Sequence, residues 1–467
     1  MNKQDLIRYY DDYAAQRGRW KKKNRYYHRC LARYFSFIIP ANSRVLEIGC
    51  GTGELLAAVR PGYGVGVDFS PHMISKAQER FPGLTFRVDD AEILELNEKF
   101  DYVILSDLVG TLWDIQAALK NLRRVTHPRS RIVISYYSYL WEPLFRLAEK
   151  LGLKFRQPLQ NWLSPLDMAN LLELEELEIV REERKLLLPR NIPVLAFLCN
   201  RLIANLPLLN HLCMINLLVA RPVAHPHAEA TVTMVIPARN ESGNIENAIQ
   251  RIPRFGAGQE ILFIEGHSSD DTYDRMLAVQ QKYPERDIKV MRQSGSGKGN
   301  AVFEAFDAAS GEVLMILDAD LTTPPEDLPK FYHALMANRG EFINGCRLVY
   351  PMEKEAMRFL NLIANKLFSL FFSYLLGQPL KDTLCGTKVL FREDYQRIKQ
   401  GRSYFGDFDP FGDFDLLFGA AKLNLRIVEV IVRYRDRAYG TTQISRFRHG
   451  LLLLRMSLFA ARKIKFI

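Results

Sequence analysis

Arg44-Val45-Leu46-Glu47-Ile48-Gly49-Cys50-Gly51-Thr52-Gly53 decides the fold of the first half of this chain. Arg44 to Ile48 is short, apolar and β-rich, which reads as a buried strand. Alternating glycines follow, then a helical stretch, Glu54 to Arg60. A glycine turn between strand and helix lets backbone N–H groups approach a ligand closely. Working outward, Gly64 to Asp68 reads as the next strand and ends in an acid. Asp68 lies 19 residues after Gly49, near the spacing at which a carboxylate accepts bonds from ribose hydroxyls. Phe86 to Ala91 reads as a third strand, Phe100 to Ser106 as a fourth and Arg131 to Ser135 as a fifth. Strands alternating with helical stretches predict a parallel sheet with helices on both faces.

The second half has the same rhythm and other motifs. Thr231 to Pro237 is a β-branched strand, followed by Ala238-Arg239-Asn240-Glu241 and a helical stretch. Glu260 to Glu265 is a second strand, and Gly297-Lys298-Gly299-Asn300-Ala301 opens another helix. Glu312 to Asp320 is an apolar strand ending in two carboxylates, Asp318 and Asp320, one residue apart. Two such groups at a bend can share one divalent ion. Oxygen ligands suit Mg²⁺ or Mn²⁺, and a metal so placed neutralises a leaving diphosphate. The fold class predicted is α/β with two doubly wound domains, residues 1–222 and 231–467, separated by a proline-containing linker at 223–230.

Composition sets the limits. The 467 residues exceed the ~150 of an ordinary domain. With 48% hydrophobic and 25% charged residues, a mostly disordered chain, a collagen and a coiled coil are excluded. Six well-separated cysteines with no CxxC pair argue against a zinc ribbon or a disulfide scaffold, and fit a reducing compartment. The net charge of +10 is clustered, in an acid-free run from Arg17 to Arg33 and in the tail from Arg446 to Lys465. Such clusters attract polyanions, either nucleic acid or an anionic membrane surface. The N-terminus has no apolar core, so no secretory signal is expected. The uncharged run between Arg201 and Arg221 contains Asn205, Pro207, Asn210, His211 and Asn216 and is a poor spanning helix against the ~20 apolar residues needed. Leu367 to Leu376 is apolar but too short to span. The tail from Gly450 mixes apolar and basic residues at helical spacing, which reads as a helix on a membrane surface or as one packed on its own domain.

At VLEIGCGTG, GVDFSPHMI, DDAE and FDYVILSD the first half resembles the class I S-adenosylmethionine-dependent methyltransferases. The resemblance implies an S-adenosyl-L-methionine cofactor cradled by Glu47, Gly49, Gly51 and Gly53. Asp68 then holds the ribose, Phe69 and Met73 flank the adenine, Asp90 and Ala91 meet its exocyclic amine, and Ser106 begins the loop facing the methyl group. A nicotinamide site is the alternative for the glycine loop. Tyr136, Tyr137, Tyr139 and Trp141 are candidates for an acceptor pocket or for packing under a cap.

At VIPARNE, EGHSSDDT, GKGNA, LDADLTTPPED, NGCR, CGTKVLFR and RYRDRAYGTTQIS the second half resembles family 2 glycosyltransferases of the GT-A fold. The nearest subgroup is the polyprenyl-phosphate transferases similar to dolichol-phosphate mannose synthase. The resemblance implies that Pro237, Arg239, Glu241 and Glu265 hold a nucleoside and that Ala319 lies against it. Asp318 and Asp320 carry the metal, while Lys298, Arg347 and Arg437 neutralise phosphates. Asp413, in preference to Asp415, stands where the wider family keeps its base. Arg347, Arg358, Asn361 and Asn365 are candidates for an acceptor phosphate. Glu265-Gly266, Thr322 and Gln443 depart from the subgroup's pattern, which puts base recognition and a third metal ligand in doubt.

The function expected is bifunctional: metal-assisted, inverting transfer of a sugar from a nucleotide sugar of the GDP-mannose or UDP-glucose type to a polyprenyl or dolichyl phosphate, and methyl transfer to an unknown acceptor. The expected place is peripheral, at the cytoplasmic face of a membrane. Nucleic acid is not expected as a partner, although Trp20 to Tyr34 keeps an RNA-modifying reading open. Transfer to a cell-surface polysaccharide, with a non-catalytic first half, is the alternative.

Overall fold

The structure, a computed structural model, describes residues 3–223, 225–350, 359–404, 412–437, 439 and 446–465, with backbone alone for 359–364 and 446–453. The chain divides into two compact units at residues 224 and 225. Each is a mixed α/β domain.

The first unit is built on strands β1 (Arg44–Ile48), β2 (Tyr63–Asp68), β3 (Thr85–Val88), β4 (Phe100–Ser106), β5 (Thr126–Tyr137), β6 (Leu177–Lys185) and β7 (Ile215–Pro222). Their order across the sheet is β3-β2-β1-β4-β5-β7-β6. The strands from β1 to β5 pair in parallel, and β7 runs antiparallel to both β5 and β6. Alternate residues fill two cores. Val45, Ile104 and Val133 pack on one face, and Leu46, Val103 and Ile132 on the other. Burial on both faces is why these strands read as continuous apolar runs.

Two expectations need correction here. The third strand stops at Val88, and Asp90 instead caps a 3₁₀ turn over Ala91–Ile93 by accepting from the Glu92 N–H. The sheet is not all parallel. The uncharged run after Arg201 ends as β7, whose residues from Ile215 to Arg221 are buried. Apolar periodicity alone does not separate a buried strand from other buried segments.

The second unit contains β8 (Thr231–Ala238), β9 (Gly258–Glu265), β10 (Asp287–Arg292), β11 (Val313–Ile316), β12 (Phe342–Cys346), β13 (Lys388–Phe391) and β14 (Ile427–Ile431). The order is β10-β9-β8-β11-β13-β12-β14, with β13 antiparallel to β11 and β12. Strand β11 ends at Ile316, so Asp318 and Asp320 lie in the turn beyond it. Two long helices also belong to this unit, Phe359–Leu376 before β13 and Arg446–Ile464 after β14. The second of them packs one face inward, through Met456 and Ala460, and exposes Leu454, Arg455, Leu458 and Arg462. The packed reading of the tail therefore holds for one face, and the other face is exposed. Among the described residues no helix is long and apolar enough to cross a membrane.

Candidate cofactor cavity and candidate sugar-transfer site

In the first unit the glycine turn after β1 forms one wall of a cavity of about 490 Å³. Gly49, Gly51 and Gly53 all adopt positive φ, at 72°, 53° and 76°. A side chain there would be strained, and a Cβ on Gly49 would stand 2.7 Å from Leu108. The turn is locked from below. Asp68, at the end of β2, accepts from the Gly51 N–H at 2.8 Å and the Ser70 N–H at 3.0 Å. Glu47 accepts from the Leu56 N–H at 2.9 Å, and burial raises its carboxyl to about 8.

Six of the residues assigned to the cofactor line this cavity: Glu47, Gly49, Asp68, Phe69, Met73 and Ser106. Gly51 and Gly53 shape the turn but do not line the cavity. Asp90 is held by Lys3 at 2.6 Å, and Ala91 is buried in the core. Of the aromatic candidates, Tyr137 and Trp141 line the cavity, whereas Tyr136 belongs to the opposite core and Tyr139 is exposed. Alternation along a strand sends neighbours to opposite faces.

The sequence reading missed two contributors. Helix α1 (Lys3–Lys23) crosses the cavity. Arg17 presses its guanidinium against Gly51, and its Nε is buried without a hydrogen-bond partner among the described residues. Lys21 pairs with Glu54 at 2.5 Å. Part of the basic run therefore faces inward, and its aromatics Tyr27 and Tyr34 are core residues of α2 (Arg25–Ile38). The second contributor is Asp107, one residue past β4, with φ of 54°. It accepts from Tyr27 Oη and from Ser135 Oγ, and burial raises its carboxyl to about 6. Its position at the C-terminal end of a central strand was the available signal. Glycine turn, ribose-spaced acid and orphaned cationic donor together fit a nucleoside cofactor bearing a carboxylate.

In the second unit the C-terminal ends of β8 and β11 converge with the N-termini of two helices, Lys298–Ala308 and Asp413–Lys422. Glycines permit the approach. A Cβ on Gly412 would stand 2.8 Å from Gly299 Cα, and one on Gly386 would overlap the Asp318 carboxylate. Lys298 Nζ lies 2.5 Å from Asp318 Oδ1. Burial alone would lower the Lys298 ammonium, but Asp318 and Asp413 raise it above its ordinary value. Burial would raise Asp318, yet Lys298, Lys388 and Arg347 hold it below the usual carboxylate range.

Arg437 bridges two carboxylates, 2.6 Å from Asp320 Oδ2 and 3.6 Å from Glu241 Oε1. Asp320 Oδ1 also accepts from Thr322, through its N–H at 3.1 Å and its hydroxyl at 2.8 Å. Ala319 is buried between the two acids in sequence, Pro237 is half-buried at the end of β8, Arg239 is exposed, and Glu265 caps the next loop at the Ser268 N–H. Asp413 stands 3.0 Å from the fully buried Lys388, whereas Asp415 turns away to Arg402. Arg347 is committed to Asp382 by two contacts of 2.7 and 2.9 Å. Arg358 lies outside the described residues, as does the side chain of Asn361; Asn365 is buried. Lys388, Asp382 and Gly386 were not foreseen.

Among the described residues no group of three His, Cys, Asp or Glu side chains is placed to hold an ion. The pair Asp318 and Asp320 remains. A donor set that small fits Mg²⁺ or Mn²⁺, which take their other ligands from water and substrate phosphates.

Residues 39–173 match the family described as Methyltransferase domain, and residues 233–398 match Glycosyl transferase family 2. The chain is 33% identical over 138 residues to a dolichol-phosphate mannosyltransferase of Pyrococcus furiosus, covering 29% of this chain and 38% of that one. It is 27% identical over 158 residues to an undecaprenyl-phosphate 4-deoxy-4-formamido-L-arabinose transferase of Salmonella paratyphi B, covering 33% and 46%. The chain thus spans less than half the length of these curated relatives. Among solved structures, glucosyl-3-phosphoglycerate synthase from Mycobacterium tuberculosis is similar at 20% identity and a TM-score of 0.38, over 50% of this chain and 80% of that one. A SAM-dependent methyltransferase from Thermotoga maritima is similar at 14% identity and a TM-score of 0.38, over 47% and 100%. The chain therefore joins a methyltransferase domain to a family 2 glycosyltransferase domain.

Proposed function

We propose that the second unit transfers a sugar from a nucleoside diphosphate sugar to a lipid phosphate, and that the first transfers a methyl group from S-adenosylmethionine. The observation that carries the sugar chemistry is the convergence of Asp318, Asp320, Lys298, Arg437 and Glu241 at the end of β11. Glu241 and Pro237 sit on the nucleoside side, and Lys298 and Arg437 supply positive charge for phosphates. Asp318 and Asp320 would hold a divalent cation, which would supply Lewis acidity toward a leaving diphosphate. Before substrate binds, Lys298 and Arg437 occupy the two carboxylates; both are cations that a diphosphate can draw off. The acceptor phosphate oxygen attacks the anomeric carbon as the bond to the diphosphate breaks, which inverts that centre. A phosphate is its own nucleophile, so Asp413 acts by orienting Lys388 and Lys298 rather than by taking a proton.

The names of the curated relatives support a lipid-phosphate acceptor. So does the surface of this unit, where Leu367 and Leu370 are exposed on one helix and Leu454 and Leu458, beside Arg455 and Arg462, on another. Apolar groups beside cations suit an anionic membrane surface. In the first unit Asp107, raised to about 6, is the group placed to take a proton from a methyl acceptor.

The test is thermal unfolding with a panel of nucleotide sugars, with and without Mn²⁺. A ligand at 100 times its Kd stabilises the folded state by about 2.7 kcal/mol. At least one nucleoside diphosphate sugar should raise the midpoint only with metal, and Asp320→Asn should lose that rise. No response to any nucleotide sugar sinks the proposal.

A further inference from the structure

The first unit carries an outward-facing apolar surface that neither proposed reaction uses. The short helix Pro193–Phe197 continues through a π turn, Leu198–Leu202, and a 3₁₀ turn, Ile203–Asn205. Its polarity is inverted. Asn200 and Asn205 point inward and are 5% and 3% exposed. Asn200 Oδ1 accepts from the N–H groups of Leu187 and Leu188, and Asn205 Oδ1 accepts from Lys185 Nζ at 3.1 Å. The residues facing out are Val194, Leu198, Leu202 and Leu206, spaced by four and 74%, 41%, 41% and 44% exposed. A helix in water buries its apolar stripe and wets its polar one; here the arrangement is reversed.

A second stripe flanks it. Leu140, Leu144, Leu147 and Leu151 recur at helical spacing along Glu142–Lys150 and its ends, each about half exposed, while Phe145 faces in. The two stripes are tied together, because Trp141 Nε1 donates to the Leu212 carbonyl at 2.9 Å. Both border the cofactor cavity, through Leu144 and Leu153 on one side and Pro189 and Arg190 on the other. Charge identifies the occupant. No acidic residue occurs between Glu183 and Glu229, and Arg190 and Arg201 are exposed in that span. The acids of the neighbouring helix are paired, Glu142 with Arg146 and Glu149 with Lys154.

We propose that the first unit docks on an anionic lipid bilayer through these two stripes, with the mouth of its cavity turned to the lipid. Apolar side chains enter the acyl boundary while the cations meet lipid phosphates. This surface is distinct from the exposed leucines of the second unit.

Hydrogen exchange of the full chain tests it, with vesicles of phosphatidylglycerol and phosphatidylcholine. Amides of residues 192–212 should slow at least tenfold on the vesicles. They should slow equally in Leu454→Glu/Leu458→Glu, in which the tail of the second unit is altered. The variant Val194→Glu/Leu198→Glu/Leu202→Glu should lose that protection and bind S-adenosylmethionine as before. Unchanged exchange at 192–212 in a chain that floats with the vesicles overturns the proposal, as does a chain that does not float. Protection that is already present without lipid, or that rises with protein concentration alone, overturns it in favour of another unit or copy of this chain as occupant. The unsubstituted chain decides by itself should the triple variant fail to fold.

Discussion

Lys388 shows how much a single side chain can hide. It is fully buried, 3.0 Å from Asp413, and donates to the Cys385 carbonyl. Removing one member of a buried ion pair leaves the other uncompensated, at a cost of about 3–5 kcal/mol. Lys388→Met should lower the stability of the second unit by that amount, read from its urea midpoint, and adding Asp413→Asn should restore part of it. A loss below about 1 kcal/mol would mean that water reaches Asp413. Lys388 stands in the motif CGTKVLFR, but its burial was not legible there, because only pairing across the fold buries it. Asp318 and Asp320 were legible because two acids at the end of an apolar run are unusual without a charge-binding task.

At the level of elements, the strands of both half-sheets that border the glycine turn and the acidic pair were legible from short β-rich runs. β6 and β7 were not. Each is antiparallel and sits at the sheet edge region, and β6 carries Arg181, Glu183 and Lys185, which are buried in ion pairs with one another. Helix α1 was legible only as charge. Its role over the cavity depends on contacts far along the chain, such as Lys76 Nζ with the Ala14 carbonyl at 2.7 Å and Ser70 with Asp11. If α1 must open before cofactor leaves, saturating S-adenosylmethionine should slow its amide exchange. At 100 times the Kd the expected factor is about 100, measured by exchange with mass detection. No slowing would show that the cofactor enters without moving α1.

At the level of the whole molecule, the two sites lie in separate units and should fail separately. Asp68→Ala removes a carboxylate that accepts two backbone bonds and faces the cavity. Charge-assisted hydrogen bonds of about 1.5–3 kcal/mol imply a loss of roughly 10- to 150-fold in S-adenosylmethionine affinity by calorimetry. Sugar transfer should persist. Asp320→Asn should do the reverse, and loss of both functions in a folded variant would contradict independence. The units should also differ with pH. The Glu47 carboxyl, raised by burial to about 8, favours the protonated form in the folded state. Its contribution is complete below its ordinary value and is lost as pH rises through about 8. The ligand-free unfolding midpoint of the first unit should therefore fall as pH rises toward 8, and Glu47→Gln should flatten that fall. An unchanged slope would assign it to other groups. The sequence by itself determined the two α/β domains, the glycine turn and the acidic pair, because local runs of apolar residues and fixed motif spacings act within one strand–turn–helix unit. Tertiary structure alone decided which cations meet Asp318 and Asp320, that Arg17 faces inward, and that leucines of the first unit face out. Burial and ion pairing are set between segments distant in the chain, and no local pattern encodes them.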